Sequence, residues 1–166
     1  MRAELTSGHP PYAPWWRRVV ATVVDVLPVA ALAVLAVALV WLTRNPSCDA
    51  DPSVRDLGPQ CGDAGATTLG RWCFAACWLA IVGYAAWNVG LRQGRSGSTV
   101  GKSLVKIRVL DAITRRPIGF WRSTIRLLTH LVDVVPAGVG FLWPLWDRRS
   151  QTFADKLTTT VVTGTR

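Results

Sequence analysis

Three apolar stretches divide this chain. Val19–Leu42 holds one charge, Asp25, in 24 residues, and Trp72–Leu91 holds none in 20. Thr124–Trp146 holds Arg126, His130 and Asp133 in 23. A helix rises ~1.5 Å per residue, so each stretch can span ~30 Å of hydrocarbon. The pattern predicts helices over 19–42 and 72–91 and an apolar helical segment over 124–146. The sequence Pro136-Ala-Gly138-Val-Gly140 interrupts the third segment, which favours a broken or re-entrant hairpin over a straight crossing.

The intervening pieces read differently. Residues 1–14 contain three prolines and form a mobile arm. Residues 43–71 form a polar loop rich in Gly, Pro and Asp. Leu104–Leu110 alternates apolar and basic positions, the period of a strand. The β-branched run Thr158–Thr163 reads as a second strand. Pairing Lys106–Leu110 with Thr160–Thr163 places the tail, residues 147–166, beside segment 92–122. The expected fold is an all-α membrane protein. It has two transmembrane helices, a third broken or re-entrant apolar segment, and a small cytoplasmic β element.

Composition supports one membrane domain over 15–166. Half of the 166 residues are hydrophobic and 17% are charged, less charge than a soluble domain usually carries. The first apolar run is longer than a signal-peptide core, contains Asp25 and follows 18 residues of arm, so it is expected to remain as a membrane helix.

The net charge of +9 is spread unevenly. Segment 92–122 carries +7, residues 1–18 and 147–166 carry +2 each, and 44–71 carries −1. Basic flanks around an acidic loop follow the positive-inside rule. The N-terminus, segment 92–122 and the tail are therefore expected to be cytoplasmic, with 43–71 outside. The same distribution argues against nucleic acid as a partner and for anionic lipid. Tryptophans at 15, 16, 41, 72, 87, 121, 143 and 146 sit near the ends of the apolar runs, as an interfacial belt requires.

A short pattern occurs twice. Arg18–Pro28 reads RVVATVVDVLP and Arg126–Pro136 reads RLLTHLVDVVP. Each Arg precedes its Asp by seven residues, about two helical turns, so the two share a helix face. Charges in membrane-length apolar runs are costly and mark function by default. Asp25 and Asp133 should lie at similar depth. If they approach each other, one should hold a proton that a monovalent cation could displace, with Arg18 and Arg126 tuning the site. His130 is a candidate proton relay. Alternatively each Asp pairs with the other copy's arginine, Asp25 with Arg126 and Asp133 with Arg18, as structural register.

Other motifs carry less. Gly94–Ser103 resembles a phosphate-binding loop, but Ser96 stands where a Walker A motif needs its first glycine, and an apolar helix precedes it. Cys48 and Cys61 in the outer loop are disulfide candidates. Cys73 and Cys77 lie on one helix face as small apolar packing. The residues indicate no cofactor, no metal and no enzyme.

Four pieces in order resemble the RDD family of bacterial membrane proteins, named for one Arg and two Asp. They are Trp16-Arg17-Arg18 with Asp25, the turn Gly97–Lys102, the strand Lys106–Asp111, and the tail Gln151–Val162. The resemblance covers roughly residues 14–166. It implies that Arg18 (or Arg17) is the family arginine, Asp25 the first aspartate and Asp155 the second. The family often has His before that second Asp; this chain has Ala154, which leaves no such histidine role. The resemblance implies a multi-pass protein of the bacterial inner membrane and transport of a ligand, with sodium/proton exchange in some members.

The expected function is therefore a small transporter or cation/proton exchanger using intramembrane Asp/Arg pairs, acting as a homo-oligomer. The alternative is a non-catalytic anchor or assembly factor for another membrane protein.

Overall fold

The structure, a computed structural model, describes residues 12–44 and 66–165. Helix α1 runs Trp15–Thr43 and continues through Pro28. Helix α2 runs Thr68–Ala85 and passes into a π-helical stretch, Ala86–Arg92, and a last turn, α3, Gln93–Ser96. A five-residue helix, α4 (Val100–Leu104), precedes strand β1 (Ile107–Asp111). Helix α5 (Gly119–Val134) is followed by α6 (Val139–Leu142) and a 3-10 turn, Trp143–Leu145. A second five-residue helix, α7 (Phe153–Leu157), leads into β2 (Thr160–Gly164). The described residues are mostly helical, with one two-stranded sheet.

Among the described residues, two helices are long and apolar enough to cross a membrane, Trp15–Thr43 and Thr68–Ser96. The third apolar segment is broken, as its Pro and Gly residues predict. Gly119–Val134 and Val139–Leu145 meet at a bend of 107°, with Ala137 and Gly138 both at positive φ. The helices extend the expected limits by a few residues, because the interfacial tryptophans and polar residues at their ends remain helical.

The chain divides into two compact units. The unit Val26–Tyr84 contains the rest of α1 and most of α2. Its buried side chains among the described residues are small or medium, Ala36, Ala66, Cys77 and Ile81. Cys73 and Cys77 are free thiols. Cys48 and Cys61 lie outside the described residues, as does most of the 43–71 loop.

The other unit joins residues up to Asp25 with Ala85 onward. Its burial pattern is the reverse of a water-soluble core. Leu131 and Val135 are 66% and 83% exposed, while Asp133, Asp155, Ser123 and Thr160 are fully buried. Apolar side chains turned outward around polar ones suit a lipid environment and would be a large exposed patch in water. A small apolar cluster, Ala13, Ala21, Ile107, Val109, Ile118 and Val162, packs under the sheet.

The strands pair antiparallel, with Ile107 opposite Gly164, Val109 opposite Val162 and Asp111 opposite Thr160. The expected pairing of 106–110 with 160–163 is observed with its ends moved by one residue. Tyr12 and Ala13, expected to be part of the mobile arm, are fixed instead. Tyr12 bridges Thr163, and the Ala13 N–H donates to the Val162 carbonyl at 2.9 Å. The edge of β2 is thereby occupied at Val162 and Thr163.

The two helix–strand pieces repeat each other. One constant offset carries Thr99 to Thr152, Gly101 to Ala154, Lys106 to Thr159 and Val109 to Val162. Thr99 caps α4 by accepting from Lys102 N–H at 3.2 Å; Thr152 caps α7 by accepting from Asp155 N–H at 3.1 Å. Lys106 and Thr159 both leave these helices at positive φ. Ser98 Oγ donates to the Ile107 carbonyl, and its counterpart Gln151 donates through Nε2 to the Thr160 carbonyl. Because Val109 pairs with its own counterpart Val162, the relation between the pieces is a local two-fold. The repeated Arg–Asp helices precede them in the same order, so the duplication extends beyond the eleven residues visible as a sequence match.

Candidate functional site

The two repeated arginines converge on one carboxylate. Arg18 Nη1 donates to Asp155 Oδ2 at 2.6 Å. Arg126 donates to Asp155 Oδ1 through Nε at 2.9 Å and Nη2 at 2.6 Å. Asp155 also belongs to the capping box of α7, accepting the Thr152 N–H at 3.2 Å, and it accepts the Thr160 hydroxyl at 3.2 Å. Burial works to raise its pKa. The charges of Arg126 and Arg18 outweigh that and hold the carboxyl well below the usual range. Arg18 Nε and Nη2 are buried and make no hydrogen bond.

Asp25 and Asp133 do a second, equivalent job. Asp25 Oδ1 accepts the Gly101 N–H at 2.8 Å, the second residue of α4. Asp133 Oδ1 accepts the Ala154 N–H at 3.2 Å, the second residue of α7. A helix leaves its first N–H groups unpaired and carries partial positive charge there, so a carboxylate from the membrane helix docks the short helix onto it. This contact needs close approach at position 101. A Cβ on Gly101 would lie 2.0 Å from the Ala21 carbonyl oxygen.

The remaining oxygens differ between the halves. Asp25 accepts from Asn88 Nδ2 at 2.9 Å and from Thr99 Oγ1 at 2.5 Å. Asn88 Oδ1 in turn accepts the Val100 N–H at 2.8 Å. The π-helical stretch carries this asparagine, and π turns commonly serve to aim a side chain. Asp133 Oδ2 lies 2.6 Å from His130 Nδ1, whose side chain remains 24% exposed. His130 also stacks on Phe141 across the bend, with centroids 5.7 Å apart.

The expected cross-pairs are therefore corrected. Asp25 pairs with neutral donors rather than Arg126, and Asp133 pairs with His130 rather than Arg18. Seven residues separate each Arg from its Asp, and over two turns each reaches a different layer: the arginines Asp155, the aspartates the helix starts. Asp25 and Asp133 do not bond to each other. The residue after Asp155, Lys156, pairs with Asp147 at 2.7 Å.

Several buried polar residues carried no sequence expectation. Gln93 Nε2 donates to Ser123 Oγ at 2.8 Å, and Ser123 donates to the Val89 carbonyl at 2.5 Å. Lys102 Nζ donates to Gln93 Oε1. Lys102 stands where the second half has Asp155. Burial, reinforced by the charge of Arg126, pushes its ammonium down to about 7, against the pull of Asp25 and Asp155. The available signal was the likeness of Thr99-Val-Gly-Lys-Ser-Leu104 to Thr152-Phe-Ala-Asp-Lys-Leu157.

The resemblance of Gly94–Ser103 to a phosphate loop has a physical basis. Both present helix-start N–H groups to an anion, but here the anion is Asp25.

Known proteins resemble this chain over most of its length. The chain is 39% identical over 150 residues to the proline-rich antigen of Mycobacterium leprae, covering 90% of this chain and 60% of that one. It is 40% identical over 153 residues to the proline-rich antigen homolog of Mycobacterium tuberculosis (strain CDC 1551 / Oshkosh), covering 90% and 62%. The chain thus spans about three fifths of the length of these curated relatives. No solved structure matches. The model of the RDD family matches residues 12–159, spanning Arg18, Asp25, Arg126, Asp133 and Asp155, and the chain belongs to that family of membrane proteins.

Proposed function

We propose that this chain is a small transport module of the bacterial inner membrane that exchanges protons against a monovalent cation. The observation that carries this reading is the internal repeat: a charged apolar helix, a capped short helix and a strand, present twice about a local two-fold. Repeats of this kind, with broken helices near the ligand path, are a common plan of secondary transporters. The repeated Arg18 and Arg126 with Asp155 form the fixed frame. The His130–Asp133 pair at the broken third segment is the proton-handling group, because its histidine stays partly exposed while its carboxylate is buried.

The basic segments 92–122 and 147–166 favour a cytoplasmic N-terminus and tail, with the broken segment re-entering from that side. Three short segments make a thin wall, so the transporting form is a homo-oligomer. A second reading, a membrane anchor or assembly factor for another membrane protein, is favoured by the many internal donors to Asp25 and Asp155.

Purified protein in proteoliposomes carrying a pH gradient tests the first reading. Addition of Na⁺ or K⁺ should dissipate the gradient, and Asp133→Asn should abolish the response. Full activity in Asp133→Asn and His130→Gln removes the assigned site. Inactivity of well-folded wild type, with co-purification of another membrane protein, supports the anchor.

A further inference from the structure

We propose that a cavity walled by Arg92 and Arg108 binds a phosphate group, presented by an anionic lipid headgroup or as free phosphate. The cavity is about 230 Å³ and is lined by Arg92, Ser96, Ser98, Ser103, Arg108 and Thr165 together with one apolar residue. None of these residues is acidic. Arg92 Nη2 donates to Ser103 Oγ at 3.2 Å, while its Nη1 is buried with no hydrogen-bond partner. Arg108 alternates to the outer side of β1 and forms no ion pair among the described residues. Two guanidinium forks without a carboxylate suit a tetrahedral oxyanion, which accepts from both at once.

The repeat supplies an internal control. The offset that relates the two halves carries Ser96, Ser98 and Ser103 to Arg149, Gln151 and Lys156. Those three line a second cavity, of about 430 Å³. There a carboxylate of the chain fills the role of the anion. Asp147 accepts from Lys156 Nζ at 2.7 Å and from the N–H groups of Arg149 and Gln151 at 3.0 Å each. Both sites also set a cation over a tryptophan, Lys156 over Trp143 at 5.4 Å and Arg92 over Trp87 at 6.0 Å. The residue corresponding to Asp147 in the first half is Gly94, which brings no charge. One half thus neutralises its basic site from within, and the other needs an external anion.

Placement favours a headgroup as the source. Arg92 closes the π-helical stretch that ends the second apolar helix, where headgroup phosphates lie. Basic pockets at the mouths of membrane helices hold anionic lipids in this way.

Binding is read by native mass spectrometry of the detergent-purified chain with phosphatidylglycerol, with phosphatidylcholine as the neutral comparison. Arg92→Gln and Arg108→Gln should each weaken phosphatidylglycerol binding about fivefold, the size expected of ~1 kcal/mol per arginine. Arg116→Gln, an exposed basic change outside the cavity, should leave it unaltered. Excess inorganic phosphate distinguishes the sources. Displacement of the lipid assigns the site to free phosphate, and retention assigns it to the headgroup. Binding of neither probe, or equal loss in Arg116→Gln and Arg108→Gln, overturns the proposal. Arg108 lies on an exposed strand position, so its variant reports binding even if Arg92→Gln does not fold.

Discussion

Val109 pairs with Val162 across the two-stranded ladder, and each is the other's counterpart in the repeated half. A strand that pairs antiparallel with its own repeat at the matching residue places a two-fold axis through that pair. The axis explains why two arginines arrive at one carboxylate. It also explains why two aspartates each meet the second N–H of a short helix. At the centre of the frame Lys102 stands in the first half where the second has Asp155, so the two arginines share a single acidic centre.

That centre should dominate stability. Asp155→Ala leaves Arg18 and Arg126 buried without their anion, and breaking a buried pair from one side costs about 3–5 kcal/mol. Thermal unfolding in detergent should show a large loss. Asp147→Asn breaks a partly exposed pair with Lys156 and should cost about 0–1 kcal/mol. Equal losses in the two variants would show that Asp155 is not the centre of the frame.

Glycine substitutions should separate sharply by position. A Cβ at Gly101 meets backbone of α1 at 2.0 Å, whereas one at Gly83 meets nothing within 4 Å. Gly101→Ala should destabilise by about 1–3 kcal/mol. Gly83→Ala, inside α2, should be neutral or stabilising by up to about 1 kcal/mol. Chemical denaturation of the two variants checks the contrast.

Much of this frame was legible in the sequence, for identifiable reasons. The apolar runs gave the membrane helices because their length matches the bilayer. Period-two alternation gave β1, and the Pro and Gly residues after Val135 gave the break. The Arg–Asp repeat marked the residues of the site. Their partners were not legible: spacing fixes which residues share a helix face, but not which distant element meets that face. Asp155 lies 137 residues beyond Arg18 and 29 beyond Arg126, too far for spacing to link them. Asn88 and Gln93 sit in an apolar helix, and only the π turn and the packing of α5 turn them inward.

Lys102 should make stability depend on pH near neutrality. Its folded pKa of about 7 lies below the ordinary lysine value, so the folded state disfavours the charged form. The penalty is complete below pH 7 and is relieved as pH rises from about 7 towards 10. Asp25, Arg126, Asp155 and Arg18 are the charged groups that act on it. Melting temperature should rise between pH 7 and 9.5 in the wild type, and Lys102→Met should flatten that slope. An unchanged slope in the variant would assign the titration elsewhere.

Asp111 should add a separate acid limit. The N–H groups of Thr114 and Ile113, with Arg122 at 2.5 Å, hold its carboxyl below the usual range. A depressed carboxylate pKa contributes stability above about pH 4 that is lost as pH falls below it. Protection of the 112–116 amides, taken against the exchange rate of an unstructured chain at the same pH, should fall on acidification, and Asp111→Asn should show that lower protection already at pH 7. Slow exchange in the variant would show that the turn holds without the charge.

The most direct measurement is the initial rate of proton efflux from proteoliposomes when Na⁺ or K⁺ is added outside, for wild type and His130→Gln side by side. Exchange through His130 and Asp133 predicts a cation-dependent rate in the wild type that falls at least tenfold in the variant, while both proteins melt at similar temperatures. No cation-dependent efflux from folded wild type, or an undiminished rate in His130→Gln, would contradict it.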